Sequence, residues 1–516
     1  MTQSKFPKNL EINDQFKQAL DLMNHTQENL FVTGKAGTGK STLLSFFIAQ
    51  TLKPIAVLAP TGVAALNVTG ETIHSFFKFL PNTTPEVAAK KGKAKRKSKL
   101  YKNLKTIIID EVSMVRADLM DCVDIFLREA RNIAKPFGGV QMIFIGDLYQ
   151  LPPVITSHER PHFDKVYKSP WFFDSEAFKS KSFSMKFIEL EKIYRQKDAD
   201  FIHLLNAIRT NSVEAHHIKS INRRIEAQAS EDTINLTSTN DRANEINQTR
   251  LAGLKSNLHS FEGMIDGSFD SKHLPTDEAL NLKVGAQVMF VNNDSSGRWV
   301  NGTIGHVTKL VDGAITVKIS NGKEVEVTPH TWDLFKYFFD DKSRSLSQKT
   351  AGSFTQIPLR LAWAITIHKS QGKTFDKVKI DLGRGSFASG QTYVALSRCR
   401  TFEGISLEHP IKPSDIRLDW RVQKFLTGFQ YAISEMAMPL EEKIKMIQDA
   451  VDFELELEIL YLKAKDIKSR RTIRPRSVGQ FDYNGKSFLG MEAYCCMRQG
   501  ERIFRVDRIL EIRKVG

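Results

Sequence analysis

The sequence predicts an α/β protein built on doubly wound parallel sheets, and three observations carry that reading. Short β-branched runs recur with room for helices between them: Leu30-Phe31-Val32, Ile55 to Ala59, Thr106 to Ile109 and Met142 to Ile145. Each closes on a turn or a polar residue, the pattern of strands buried on both faces. Runs of the same kind resume at Ala364 to Ile367 and Val378 to Ile380. The length, 516 residues, exceeds what one hydrophobic core holds and corresponds to roughly three to four domains.

Taken in order, the first strand leads through a Gly-rich turn into an apolar helix, Thr42 to Ala49. Between the second and third strands, Lys90 to Lys99 holds seven basic residues in ten positions. That density reads as a loop or an inserted subdomain. A helical pattern follows from Ile188 to Arg209, with Phe201, Leu204, Leu205 and Ile208 on one face, and then the strand Ile234 to Thr237. Residues 255–352 are richer in Gly and Asn. Their alternating runs, Gln287 to Val291 and Ile315 to Ile319, predict a small all-β insertion. A mixed-charge helical connector covers about 426–455, and the last sixty residues read as short Arg-rich strands.

Composition narrows the function. Hydrophobic residues at 41% and charged residues at 26% exclude a disordered or collagen-like chain. No window reaches the 18 apolar residues of a membrane span, and the first residues lack a secretory core and cleavage site. Cys122, Cys399, Cys495 and Cys496 have neither CxxC spacing nor His partners at zinc spacing. A reducing cytoplasm is therefore expected. Lys+Arg 74 against Asp+Glu 59 gives a net charge of +15, a balance that favours a polyanionic partner, most often nucleic acid.

The chemistry concentrates at strand ends. Gly34-Lys35-Ala36-Gly37-Thr38-Gly39-Lys40-Ser41 matches the phosphate loop G-x-x-x-x-G-K-[ST] between a strand and a helix. Its glycines let backbone N–H groups point at phosphates, with the field of the helix N-terminus behind them. Lys40 reaches the β- and γ-phosphates and the Ser41 hydroxyl ligates Mg²⁺ in this reading. Asp110-Glu111 closes the strand Thr106 to Ile109: Asp110 suits the Mg²⁺ position and Glu111 the polarisation of attacking water. Gln150, in Gly146 to Val154, suits the γ-phosphate or the water, with a simple strand-to-loop exit as the alternative. Arg195 and Arg398 suit fingers that complete a γ-phosphate site across a cleft; taken alone, each reads as a surface charge.

This ordered series resembles the superfamily 1 DNA helicases of the Pif/RecD-like branch. It runs from Gln15 through Gly34 to Thr42, then Ala59-Pro60-Thr61-Gly62 and Thr72-Ile73-His74-Ser75-Phe76. Asp110 to Met114, Gly146 to Val154, Tyr194-Arg195-Gln196, Thr366-Ile367-His368-Lys369-Ser370-Gln371-Gly372 and Tyr393 to Arg398 complete it. The resemblance implies two RecA-like lobes with ATP and Mg²⁺ between them, and single-stranded or forked DNA above both. It implies an adenine-reading Gln15, nucleotide contacts at Gly34, Ala36, Gly37, Thr38, Gly39, Lys40, Ser41, Thr42 and Gly372, and DNA-facing Pro60, Thr61, Gly62, His74, His368 and Lys369. For His74, flanked by Phe76 and Phe77, a packed core histidine is the alternative.

The resemblance also sets domain expectations: a first lobe over 1–188 with a basic wedge at about 77–103, a second over 189–254 and 353–425, and an SH3-like insertion at 255–352. A helical linker, 426–455, would lead to residues 456–516, where Thr472 to Arg476, Ser487-Phe488-Leu489 and Arg502 to Ile509 resemble a WYL domain, a small Sm-like β-barrel of bacterial regulators. Fourteen basic against nine acidic residues from Glu454 to Gly516, with Arg505 opposite Phe504 across a strand, suit a nucleotide or nucleic-acid ligand there. A packing domain that stiffens the C-terminus is the alternative. The expectation is a bacterial, nucleoid-associated 5′-to-3′ helicase without a membrane partner. An ATP-switched DNA-binding regulator and a RecD-like subunit of a recombination complex are its rivals.

Overall fold

The computed structural model describes residues 12–515 apart from 226, 228–231, 270–273, 312–313, 321, 344, 464–466 and 484. Two compact units emerge, one from Met1–Asn206 with Val213–Arg417, the other from Ala207–Ser212 with Leu418–Gly516.

The first unit holds two parallel sheets. Six strands lie in the spatial order Glu71–Thr72, Ile55–Ala59, Thr106–Ile109, Gln141–Ile145, Asn29–Gly34, Met185–Leu190. One face packs Leu30, Val32, Val57, Ile108 and Ile143 against Phe16, Ala19 and Met23 of the helix Asp14–His25 and Leu43, Leu44 and Phe47 of the helix Lys40–Gln50. The other face is aromatic: Phe144 stacks on Phe172 at 5.4 Å and meets Phe178 at 5.4 Å, and Phe137 closes on Phe144 at 6.3 Å. Such pairs add about 0.5–1.5 kcal/mol each beyond area burial. The second sheet orders Ala364–Thr366, Ile234–Thr237, Val378–Asp381, Ile405–Leu407, all parallel.

Three readings of local structure change. Ile188 lies on the edge strand Met185–Leu190 of the first sheet, and the helix starts only at Ala199. The basic run is largely helical: it occupies the end of the helix Pro85–Ala94, capped by Thr84, a turn over 95–98 and the start of Lys99–Asn103. Gly92 lets the first of these lie close to Ala117–Arg131, since a Cβ there would stand 2.6 Å from the Phe126 carbonyl. Lysine-rich composition hid the helix because its buried face is only Ala88 and Gly92. The all-β region also reaches past 352, because Leu359–Leu361 pairs with Gln287–Phe290 in its five-stranded antiparallel sheet. A long hairpin of the same region, His330–Asp340 with Ser345–Gln356, leans on the first sheet. There Val57 N–H donates to Tyr337 Oη at 2.9 Å and Tyr337 N–H to Glu71 at 3.3 Å.

The second unit places the helices Trp420–Ala437 and Leu440–Asp452 beside five antiparallel strands. These are not uniformly short: Ile467–Tyr483 runs for 17 residues. The two edge strands, Gly500–Arg505 and Ile509–Lys514, are joined by the turn Val506–Arg508. All five strands turn residues into one core of Leu457, Ile459, Ile473, Met491, Phe504 and Ile512. Ile447 and Ala450 enter it from the second helix, which is thus a packed layer rather than a free connector.

Replacing the fully buried Phe144 by Ala should lower the stability of the first unit by about 3–5 kcal/mol. Denaturant unfolding followed by tryptophan fluorescence would register it, since Trp171 sits in the same unit, fully buried.

Candidate nucleotide site and nucleic-acid interface

The strand Asn29–Gly34 delivers the chain into a loop that only glycine geometry permits: Gly37 and Gly39 have φ of +82° and +89°, and the helix begins at Lys40. A side chain on Gly37 would collide with Arg195. The Lys40 ammonium bridges the Gly34 and Lys35 carbonyls at 2.7 and 3.0 Å, and the Thr38 hydroxyl donates to the Lys35 carbonyl at 3.0 Å.

Two acidic groups face this loop from the next strand but one. Burial and the adjoining Glu111 charge push the Asp110 carboxyl up to about 7, while Lys40 opposes the shift. Glu111 holds φ +49°, a left-handed conformation that costs a non-glycine residue roughly 1–2 kcal/mol. Its carboxyl is raised chiefly by burial and by Asp147, against Lys40, Arg398 and Arg195. Buried carboxylates with raised proton affinity are short of positive charge. A hard divalent cation supplies it, and a Ser41 hydroxyl with an Asp110 carboxylate is the oxygen donor set that Mg²⁺ takes. The residues present fit the metal.

The second sheet supplies the opposite charge. Arg398 is 1% exposed and held by backbone: Nε donates to the Val394 carbonyl at 2.9 Å and Nη1 to the Ser370 and Lys373 carbonyls at 3.4 Å. Burial, then the charge of Arg195, pushes its guanidinium down to about 9, which marks a cation short of an anion. Arg195 donates to the Ser397 carbonyl at 3.3 Å, and Gln196 to the Ser397 and Cys399 carbonyls at 3.2 and 3.1 Å. Tyr194 N–H meanwhile donates to the Gly37 carbonyl at 2.8 Å. Residues 194–196 therefore join the phosphate loop to the second sheet.

A second seam runs through Gln150. Its amide donates to Asp147 at 3.4 Å and its carbonyl accepts from Gln371 at 3.4 Å, one residue before Gly372. Gly390, at φ +73°, lies so close to the Tyr149 and Gln150 carbonyls that a Cβ would collide with both. Tyr393, Asp147, Gln196 and Gln371 drew no role from the sequence. Tyr393 Oη accepts from Ala36 N–H at 3.0 Å and donates to Asp147 at 3.5 Å. Its signal was present, since it opens the run that ends in Arg398, but nothing local says that its hydroxyl spans the two sheets.

Gln15 accepts from Glu191 N–H at 3.1 Å, on the first helix. Gly34, Ala36 and Thr42 stay with the loop and the start of the second helix. Pro60, Thr61 and Gly62 follow the carboxyl end of Ile55–Ala59, where the Thr61 hydroxyl caps the helix Gly62–Asn67 by accepting from Ala64 N–H. His74 is half-buried, whereas Phe76 and Phe77 are the core residues beside it. His368 and Lys369 follow Ala364–Thr366, and burial lowers the pKa of the His368 imidazole. A cavity of about 540 Å³ at the carboxyl ends of Ile234–Thr237 and Val378–Asp381 is lined by Ser238, Thr239, Arg242, Arg384, Phe387 and Arg417. With Phe387 59% exposed, that edge combines cations and an aromatic face. Its residues come from two separate stretches, 238–242 and 381–417, that no local pattern connects.

Fold and site together define a two-sheet phosphate-loop nucleotide-binding protein. Residues 10–219 match the PIF1-like helicase family, and 442–514 match the WYL domain. The ATP-dependent DNA helicase Pif1 of Bdellovibrio bacteriovorus is 32% identical over 432 residues, 82% of this chain and 93% of that protein. Human ATP-dependent DNA helicase PIF1 is 36% identical over 421 residues, 77% of this chain, which spans only 61% of the human protein's length. The crystal structure of Bacteroides Pif1 with ADP-AlF4 superposes with a TM-score of 0.73 at 35% identity, covering 82% of this chain and 98% of that one. Its complex with ADP-AlF3 and single-stranded DNA gives 0.59 at 36% identity, with the same coverage. The chain belongs to the PIF1-like helicase family.

Gly390→Ala should separate the seam at Tyr149–Gln150. The expected cost is about 1–3 kcal/mol in denaturant unfolding, with a loss of nucleotide-dependent protection of residues 146–153 in hydrogen exchange.

Proposed function

We propose that this chain is an ATP- and Mg²⁺-dependent DNA helicase that translocates 5′ to 3′ on single-stranded DNA and unwinds forked duplexes. The observation that carries the reading is the convergence of Lys40, Asp110 and Glu111 from one sheet with Arg195 and Arg398 at the seam to the other. Cations that are short of an anion and carboxylates that are short of a metal are complementary to a metal–nucleoside triphosphate.

In this mechanism Gly34, Ala36, Gly37, Thr38, Gly39 and Thr42 cradle phosphates by backbone N–H groups, Lys40 leaves its two carbonyl partners for the phosphates, and Gln15 reads the base. Ser41 and Asp110 hold the Mg²⁺, which neutralises phosphate charge when bound. Glu111 orients the attacking water and Gln150 senses it through its bond to Gln371, beside Gly372. Arg195 and Arg398 close the two lobes on the γ-phosphate, and hydrolysis reopens them. Pro60, Thr61, Gly62, His74, His368 and Lys369 alternate their grip on the sugar–phosphate backbone, whose contacts carry position rather than sequence. The lysine-rich helices at 85–103 supply a sequence-independent electrostatic contact to the displaced strand. The second unit binds nucleic acid or a nucleotide and tunes the motor. DNA as substrate puts the protein with the bacterial nucleoid. Four free cysteines suit a reducing compartment, and no helix among the described residues is long and apolar enough to cross a membrane.

Unwinding of a duplex with a single 5′ or 3′ tail tests the reading. The expected result is product only from the 5′ tail, none with Lys40→Ala, and nucleotide binding without turnover in Glu111→Gln. Unwinding from the 3′ tail alone overturns the polarity; DNA-stimulated hydrolysis without unwinding favours an ATP-switched DNA binder. Truncation after Arg417 should change DNA affinity or unwinding rate and leave an active ATPase.

A further inference from the structure

The charges of the second unit are distributed unevenly, in a way its sequence hides. Arg470 pairs with Glu458 and Glu511 at 3.1 Å, Arg474 with Glu456 at 2.7 Å, and Arg476 with Glu501, Arg505 with Asp507 and Arg513 with Glu458 at 2.6 Å. Arg505 also lies over the Phe488 ring at 5.3 Å. Arg474, Arg476 and Arg505, all in the stretches that resemble the WYL domain, thus each have a carboxylate partner. Among the described residues Lys463, Arg471, Arg498 and Arg502 have no carboxylate partner, and these four line one cavity of about 250 Å³.

The cavity is built rather than incidental. Tyr461 and Lys463 alternate on Leu457–Lys463, Arg502 and Phe504 on Gly500–Arg505, and Arg471 faces in from Ile467–Tyr483. Arg471 is 8% exposed. Its Nε donates to the Ser469 hydroxyl at 3.1 Å and its Nη1 to Cys495 Sγ at 3.4 Å, and neither partner is a carboxylate. A buried guanidinium without an anion is destabilising, whereas its planar fork matches two oxygens of one phosphate. Burial and the charges of Arg471 and Arg498 lower the proton affinity of Lys463, as expected where like charges are held together. Tyr461 and Phe504, edge to face at 5.2 Å, supply an apolar wall.

Size and charge select the ligand. A single-stranded DNA site tracks roughly 4–16 nucleotides along a groove, whereas this cavity has room for one phosphate and its sugar. Four cations exceed the single charge of an internal phosphodiester and suit a phosphomonoester, which carries about −1.5 to −2 at pH 7. We propose that the cavity formed by Lys463, Arg471, Arg498 and Arg502 is a receptor for a terminal phosphate, either the phosphorylated end of a DNA strand or a free mononucleotide. The assignment rests on the reading of the second unit as a nucleic-acid or nucleotide binder, and it would let the protein distinguish a phosphorylated strand end from a dephosphorylated one.

Binding of the full chain to one single-stranded oligonucleotide, made with a 5′-phosphate, a 3′-phosphate or neither, tests the proposal, with AMP and inorganic phosphate as competitors. The expected result is at least tenfold tighter binding of a phosphorylated form. That ratio should collapse to about one in the exposed double variant R498A/R502A and shrink as pH falls through about 6, where the monoester loses its second charge. Competition by AMP with no preference among the oligonucleotides, lost in the same variant, identifies the free nucleotide as the source. Equal affinity for all three strands with no competition overturns the proposal. If R498A/R502A then weakens all three alike, the second unit still binds nucleic acid; if it weakens none, that reading falls as well. Arg471→Lys, which keeps the charge and loses the fork, should lower the ratio without unfolding the unit.

Discussion

Charge that is unbalanced within each sheet organises the first unit. Asp110, buried, and the half-buried Glu111 close one strand at its carboxyl end, and desolvation raises the proton affinity of both. Arg398, 1% exposed and just past the helix Gln391–Leu396, is held by carbonyls and a hydroxyl. Neither arrangement is favourable in isolation. Groups of opposite sign thus face one another across the seam, which is the arrangement on which the proposed metal–nucleotide site rests. Arg195 and Gln196 fix the distance, since residues 194–196 are bonded at once to Gly37 and to 397–399.

Close backbone approach is what allows the sheets to share a site. Gly37 admits Arg195 and Gly390 admits the Tyr149–Gln150 carbonyls. Through Gln371 and Ser370, the segment that begins with His368 and Lys369 touches both Gln150 and Arg398. One short peptide thus carries both the residues proposed to hold DNA and the contacts to the proposed nucleotide site. The antiparallel insertion adds a third contact, its Tyr337 being bonded to the first sheet at Val57 and Glu71.

The second unit solves a different problem with similar chemistry. Its acidic residues pair with arginines along exposed strand faces, whereas the four cations that converge on the cavity have no carboxylate partner among the described residues. Selective pairing turns a generally basic surface into a directed one.

Much of this was legible in the chain itself. The parallel strands, the phosphate loop, the strand-end position of Asp110-Glu111 and the all-β character of residues 255–352 follow from local patterns, because strand burial and loop glycines are dictated by near neighbours. Helix Pro85–Ala94 was not legible, since its buried side is one alanine and one glycine against another helix. Ile188 was assigned to a helix because a six-residue edge strand with a half-exposed pattern carries no distinctive period. Tertiary structure decided which arginines are free and which are paired, and that Tyr393 reaches Ala36 across 357 positions. Residue type sets which charges exist and local spacing sets which strand bears them. Only the folding of distant segments together determines which opposite charge each one meets, because ion pairing and burial depend on distance in space, which the order of residues does not record.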